Sequence, residues 1–310
     1  MATPTSAQPQ AAPAPTPYHA SIYPGAQKPL PAEFGHAVRR LEGTLSMPVW
    51  LLVQAGDGKY SEIEEDVRKA IFDARAQLPS TGSVGVLVES PGGSAKSAYQ
   101  IATIFKRQCN GFTAIVPNEA KSAATLLVLG ADTLILNKYA ELGPLDAQVW
   151  DAERDEYSSA LNEVQALERL HAFALEAFDR TMFLLLPRTR KKVDTLLPHV
   201  LEFISHMMRP MLESVDVVHY TQRARQLKVA EEYAARLLRP HYGTIDEAKE
   251  IARHLVEKYP EHDFVVDSEE LPTIGIKNTK QPTAEQIEIM DIMLPYLGET
   301  MIGRVEGGPP

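Results

Sequence analysis

Hydrophobic and polar positions follow two regimes along the chain. From Pro48 to Asn137, short runs that are apolar almost throughout alternate with stretches that are apolar on one side only. PVWLLVQ (48–54), SVGVLVE (83–89), FTAIVP (112–117) and ADTLILN (131–137) have the length and continuity of strands buried on both faces. Between them, Ser61 and Glu64 have capping-box spacing and predict a helix running to about Ala76. SAKSAYQIATIFKRQ (94–108) and AKSAATLLVLGAD (120–132) read as two further helices. Strands and helices alternating at these lengths need parallel crossovers, which predicts an α/β fold.

After Trp150 the strand pattern stops. Val164, Leu167, His171, Leu175, Phe178 and Met182 follow three- and four-residue spacing, as do Val193, Leu197, Val200, Ile204, Met208 and Met211. AEEYAARLL (230–238) adds a third helix, and Thr244 with Glu247 caps a fourth that closes at Tyr259-Pro260. HDFVVD (262–267) then reads as a short strand. The expected organisation is a Pro/Ala-rich tail over 1–32, an α/β core over 33–150 and a helical insert over 151–240. A helix and strand return to the core follows over 241–302, and a flexible tail over 303–310.

Composition narrows the class. Residues 1–31 hold eight prolines and a single charged side chain, Lys28. That segment is expected to be disordered and dispensable for activity. The chain has 310 residues and a formal charge of −10, which disfavours nucleic acid and anionic membrane as default partners. Its one cysteine, Cys109, cannot form an internal disulfide. With no signal-like start and no apolar run of spanning length, the expectation is a soluble cytoplasmic protein.

The candidate chemistry centres on Ser122. A serine in front of a helix of small and apolar residues is either an N-cap or a nucleophile whose oxyanion the free helix N–H groups stabilise. SPGG (90–93) follows one strand, and Ser122 follows the next. Both therefore belong on the carboxyl edge of a parallel sheet, where ligands bind. The Gly93 and Ala123 N–H groups form a candidate oxyanion hole, with Gly92 beside them. Metal chemistry lacks support, since H-E-x-x-H and paired cysteines are absent. The sequence has no G-x-G-x-x-G after a strand and no Walker A loop, so neither a nicotinamide cofactor nor bound ATP is expected.

SPGG, AKSAAT (120–125), LGAD (129–132) and LGPLDAQ (142–148) together resemble the Clp-protease and crotonase superfamily. Within it the chain is similar to the serine dehydrogenase proteinase family, relatives of signal peptide peptidase A. KVAEEYAARLL (228–238) and YPEHDFVVDSEE (259–270) extend the resemblance over roughly residues 45–275. It implies a spiral of βαβ units with a helical insert, a cofactor-free serine peptidase, and Ser122 as nucleophile. The histidine position of Clp-type peptidases falls on Asp146 here, and their aspartate position on His262. That exchange keeps the components of a Ser–His–Asp triad.

A serine–lysine dyad is the competing mechanism. The lysine window implied by signal peptide peptidase A, NEVQALERLHAF (162–173), holds no lysine and only His171. Lys121 adjoins the serine and is the remaining candidate, with peptide binding or a solvated charge as its other roles. The expected activity is endopeptidase cleavage of peptides or unfolded protein by a homo-oligomer, with the insert and a helix at 284–296 lining subunit contacts. A crotonase-type acyl-CoA hydratase, isomerase or thioesterase, or an inactive peptide-binding scaffold, are the alternatives.

Overall fold

The computed structural model describes residues 16–145, 148–151 and 156–308. Its elements run β1 (Thr16–Ala20), α1 (Ala32–Leu45), β2 (Val49–Val53), α2 (Glu65–Asp73), β3 (Val84–Glu89), α3 (Ala95–Gln108), β4 (Phe112–Val116) and β5 (Glu119–Ala120). They continue as α4 (Ala123–Leu129), β6 (Thr133–Leu136), β7 (Glu141–Leu142), β8 (Gln148–Asp151), β9 (Glu156–Ser159), α5 (Ala160–Thr189) and α6 (Val193–Glu213). The last are α7 (Val217–Leu238), α8 (Ile245–Glu257), α9 (Ala284–Met293) and β10 (Met301–Gly308). The chain divides into two compact units. One comprises residues up to Glu141 with 267–271 and 277 onward, the other 142–266 with 272–276.

The first unit is built on a six-stranded sheet of order β1-β10-β2-β3-β4-β6. Strands β2, β3, β4 and β6 are parallel, and their register aligns Leu51, Leu87, Ile115 and Ile135 in one row. Period-two alternation splits β2 between two faces. Val49, Leu51 and Val53 join Phe34, Val38 and Leu41 of α1 and Ile289, Met290 and Met293 of α9 in one apolar cluster. Trp50, of opposite parity, stacks edge-on against Phe105 of α3 at 6.1 Å. Both faces of the sheet are thus covered, as the continuously apolar runs require.

Both chain ends depart from expectation, because each supplies a strand. Strand β10 pairs antiparallel with β2, and β1 pairs antiparallel with β10. Tyr18, Ala20 and Leu30 are buried in the same cluster as α1 and α9, so folded structure begins well before Pro31. A proline-rich segment can form an edge strand because its missing N–H groups face no partner there. Removing residues 1–31 is therefore expected to lower the melting temperature by several degrees, measured by thermal unfolding, since β10 would lose its outer partner.

The Ser61–Glu64 capping box does not form. Helix α2 starts at Glu65 without a side-chain cap, because Ile63 is held extended. Its N–H donates to Gly92 O at 2.6 Å, and its carbonyl accepts from Ser94 N–H at 2.8 Å. Helix α9 does form, with a complete capping box between Thr283 and Gln286. Its buried face is covered by α1 within the unit, so those side chains are not free to line a subunit contact.

In the second unit strands do not stop at Trp150, which lies within β8 and pairs with Tyr157 of β9. Helices α5 and α6 share a cluster of Met182, Leu196, Val200, Ile204 and Met208, with Phe178 partly buried against it. Val193, Leu175 and Met211, expected on the stripes, are exposed, and so is His171. Thr244 caps α8 by accepting the Glu247 N–H at 3.2 Å. The expected strand over 262–267 reduces to Val266, which exchanges two backbone hydrogen bonds with Leu142. Among the described residues no helix is long and apolar enough to cross a membrane.

Candidate active site

The carboxyl ends of β2, β3 and β4 deliver a compact set of polar groups. Gln54 follows β2, Glu89 ends β3 with Ser90 next, and Asn118 and Glu119 follow β4. Each stands where an apolar strand run ends, which was the sequence signal for them. Their partnerships were not legible locally.

Ser122 sits in the turn from β5 into α4 with φ 48° and ψ −116°. That region is unfavourable for an L-residue, and holding a non-glycine there costs about 1–3 kcal/mol. The hydroxyl makes no capping hydrogen bond to α4. Capping therefore does not explain this serine, whereas sharp, strained strand-to-helix turns are where nucleophilic serines are presented. The following turn is tied down without it: Ala124 N–H donates to Lys121 O at 2.8 Å, Leu126 N–H to Ser122 O at 3.1 Å, and Thr125 Oγ1 to Ala120 O at 2.6 Å.

The glycine loop lies against this turn. A Cβ added at Gly92 would come within 2.8 Å of Lys121 O, 3.0 Å of Ser122 Cβ and 3.2 Å of Ala123 N. Gly92 and Gly93 have φ of +113° and +130°. Both the contact and the dihedrals call for glycine. The Gly92 N–H donates to Ser90 Oγ at 3.1 Å, so it is not available to a substrate. The Gly92 carbonyl faces Ile63, and in a planar trans peptide the Gly93 N–H then points the opposite way. Among the described residues neither the Gly93 nor the Ala123 N–H donates to a protein acceptor. Among the described residues two uncommitted donors thus belong to the turn that holds Ser122 and to the glycine loop packed against it.

Lys121 Nζ pairs with Glu141 Oε1 at 2.6 Å, both side chains being mostly covered. Glu141 thus occupies the amino group that would otherwise have to reach the Ser122 hydroxyl. His262 belongs to the second unit, in the turn before Val266, and is half-buried. Asp146 lies outside the described residues.

Glu89 is buried beneath the site. Its carboxyl accepts from Asn118 Nδ2 at 2.9 Å and from the Glu119 N–H at 3.0 Å, tying β3 to the segment that leads to Ser122. Burial pushes its pKa up to about 7, against the opposing pull of those two hydrogen bonds. A carboxyl with a raised folded pKa holds its proton more tightly in the folded chain. Its contribution is then fully present below the unfolded value and is lost as pH rises through the folded one. Relative to a Glu89→Gln chain, the wild type is expected to lose roughly 3 kcal/mol of stability between about pH 4.5 and 7. Thermal melts of both across that range check this, and parallel curves would remove Glu89 as the cause.

The profile of the family described as "ClpP-like SDH-type serine proteinase" matches residues 43–208, more than half of the chain. Two uncharacterized proteins of Methanocaldococcus jannaschii are also similar. One is 26% identical over 239 residues, covering 77% of this chain and 63% of its own length. The other is 25% identical over 250 residues, covering 81% of this chain and 68% of its own length. The chain thus spans less than two thirds of the first relative.

Proposed function

We propose that this chain, which belongs to the ClpP-like SDH-type serine proteinases, is an endopeptidase that cleaves peptides or unfolded protein through an acyl-enzyme on Ser122. The observation that carries the reading is the strained, uncapped Ser122 lying against a glycine loop, with the Gly93 and Ala123 N–H groups uncommitted among the described residues. Ser122 Oγ attacks the scissile carbonyl, and the Gly93 and Ala123 N–H groups stabilise the oxyanion as it develops. His262 takes the serine proton and returns it to the leaving amine, while Asp146 orients the imidazole. Water then hydrolyses the ester, and the enzyme is restored.

Lys121 serves the site as a neighbour rather than as the base, because Glu141 already holds its ammonium. A crotonase-type reaction would use the same two donors on a thioester but has no role for a strained serine. The exposed apolar side chains Phe183, Leu184 and Phe203 on α5 and α6 support self-association through the second unit. Labelling by a fluorophosphonate probe, with mapping of the modified residue, tests the reading. Modification of Ser122 supports it, and an unmodified chain leaves the binding scaffold in its place.

A further inference from the structure

Two adjacent glycines have no side chains to hold their own conformation, so an N–H aimed by such a loop must be fixed from outside. Three groups of this loop are pinned. Ile63 holds the Gly92 carbonyl and the Ser94 N–H, and Ser90 Oγ holds the Gly92 N–H at 3.1 Å. Ser90 has one hydroxyl proton, and it donates that proton to Gln54 Oε1 at 2.8 Å. The lone pairs of the hydroxyl are thereby left for the Gly92 N–H. Gln54 is oriented in turn, because its Nε2 donates to Tyr60 O at 2.8 Å, which turns Oε1 toward Ser90.

A one-way chain of hydrogen bonds results, running from Gly92 through Ser90 and Gln54 to Tyr60. Ser90 is fully buried and Gln54 is 2% exposed, so water cannot replace either link. Ser90 also reaches the other half of the site through its backbone. Its carbonyl accepts the Lys121 N–H at 3.0 Å, directly before the nucleophile.

We infer that Gln54 and Ser90 act as a coupled pair of positioning residues, setting the Gly92–Gly93 loop so that the Gly93 N–H meets the oxyanion. The inference rests on the proposed roles of Ser122 and Gly93. Neither residue touches the substrate. Because an oxyanion donor acts on the transition state, loss of the relay lowers kcat and leaves KM nearly unchanged.

The test compares the full chain with Ser90→Ala, Gln54→Leu, the double variant and Ser90→Thr. Hydrolysis of an unstructured fluorogenic peptide, the rate of fluorophosphonate labelling at Ser122 and the thermal midpoint are measured for each. Each of the first two substitutions is expected to lower kcat by about 10–100-fold with KM within about threefold, and labelling slows in parallel. The double variant falls no further than the worse single, because both break one chain. Ser90→Thr, which keeps the hydroxyl, recovers to within about fivefold of wild type. Should Ser90→Ala fail to fold, Gln54→Leu against Ser90→Thr decides in the same terms.

Unchanged kcat in the folded single variants, independent losses that multiply in the double, or losses confined to KM would each overturn the relay. In those cases Ser122 is still labelled in the wild type, and the peptidase reading stands. A wild-type chain with no labelling at Ser122 removes that reading and the relay with it.

Discussion

Ser122→Ala is expected to abolish fluorophosphonate labelling and to lower peptide turnover by at least about a thousandfold, with the unfolding transition nearly unmoved. The stability part follows from what the hydroxyl does not do. It makes no cap to α4, and the turn is held instead by Ala124, Leu126 and Thr125, so removing one oxygen breaks no fold contact. The activity part follows from chemistry, because no other group on the 120–125 turn supplies an attacking oxygen beside the Gly93 and Ala123 donors except Thr125, whose hydroxyl is buried on Ala120 O. Ser122→Gly sharpens the test. Glycine tolerates a positive φ at no steric cost, so this variant is expected to be inactive yet about 1 kcal/mol more stable. Full labelling of a different serine in Ser122→Ala would place the nucleophile elsewhere.

His262→Ala is expected to lose roughly a hundredfold or more in kcat, the usual scale of a missing general base. Asp146→Asn loses less than Ser122→Ala but still substantially, since the imidazole would lack its orienting partner. Lys121→Ala is expected to alter KM more than kcat, because its ammonium is held by Glu141 and its loss perturbs the surroundings of the site. Steady-state kinetics of the three variants decide the matter. An inactive Lys121→Ala beside an active His262→Ala would replace the triad with an adjacent-lysine dyad.

Much of the first unit was legible because its information is local. The runs at 48–54, 83–89, 112–117 and 131–137 are apolar on both parities, which only a doubly covered strand needs, and each became a strand. Ser94, directly after the glycine turn, does cap α3 by accepting the Ser97 N–H at 3.3 Å. Where local and tertiary demands competed, the tertiary one prevailed. Ser61 and Glu64 have the spacing of a cap, but the Ile63 backbone pairs with the glycine loop and keeps the chain extended. HDFVVD has a strand's composition, but among the described residues it pairs only at Val266.

By itself the sequence determined the alternation of strand and helix, the glycine pair before α3 and the serine before α4, because periodicity and turn chemistry are properties of neighbouring residues. Only the tertiary structure decided that both termini complete the sheet, since Thr16 and Gly308 meet through a pairing no local pattern encodes. It alone decided which N–H groups stay unpaired at the site. Gly92 and Gly93 look alike in sequence, yet one N–H is bound by Ser90 while the other has no acceptor among the described residues. The acceptor for Gly92 is Ser90 Oγ, and that hydroxyl is oriented by Gln54 from the end of β2, a partner that the sequence around the glycines does not contain.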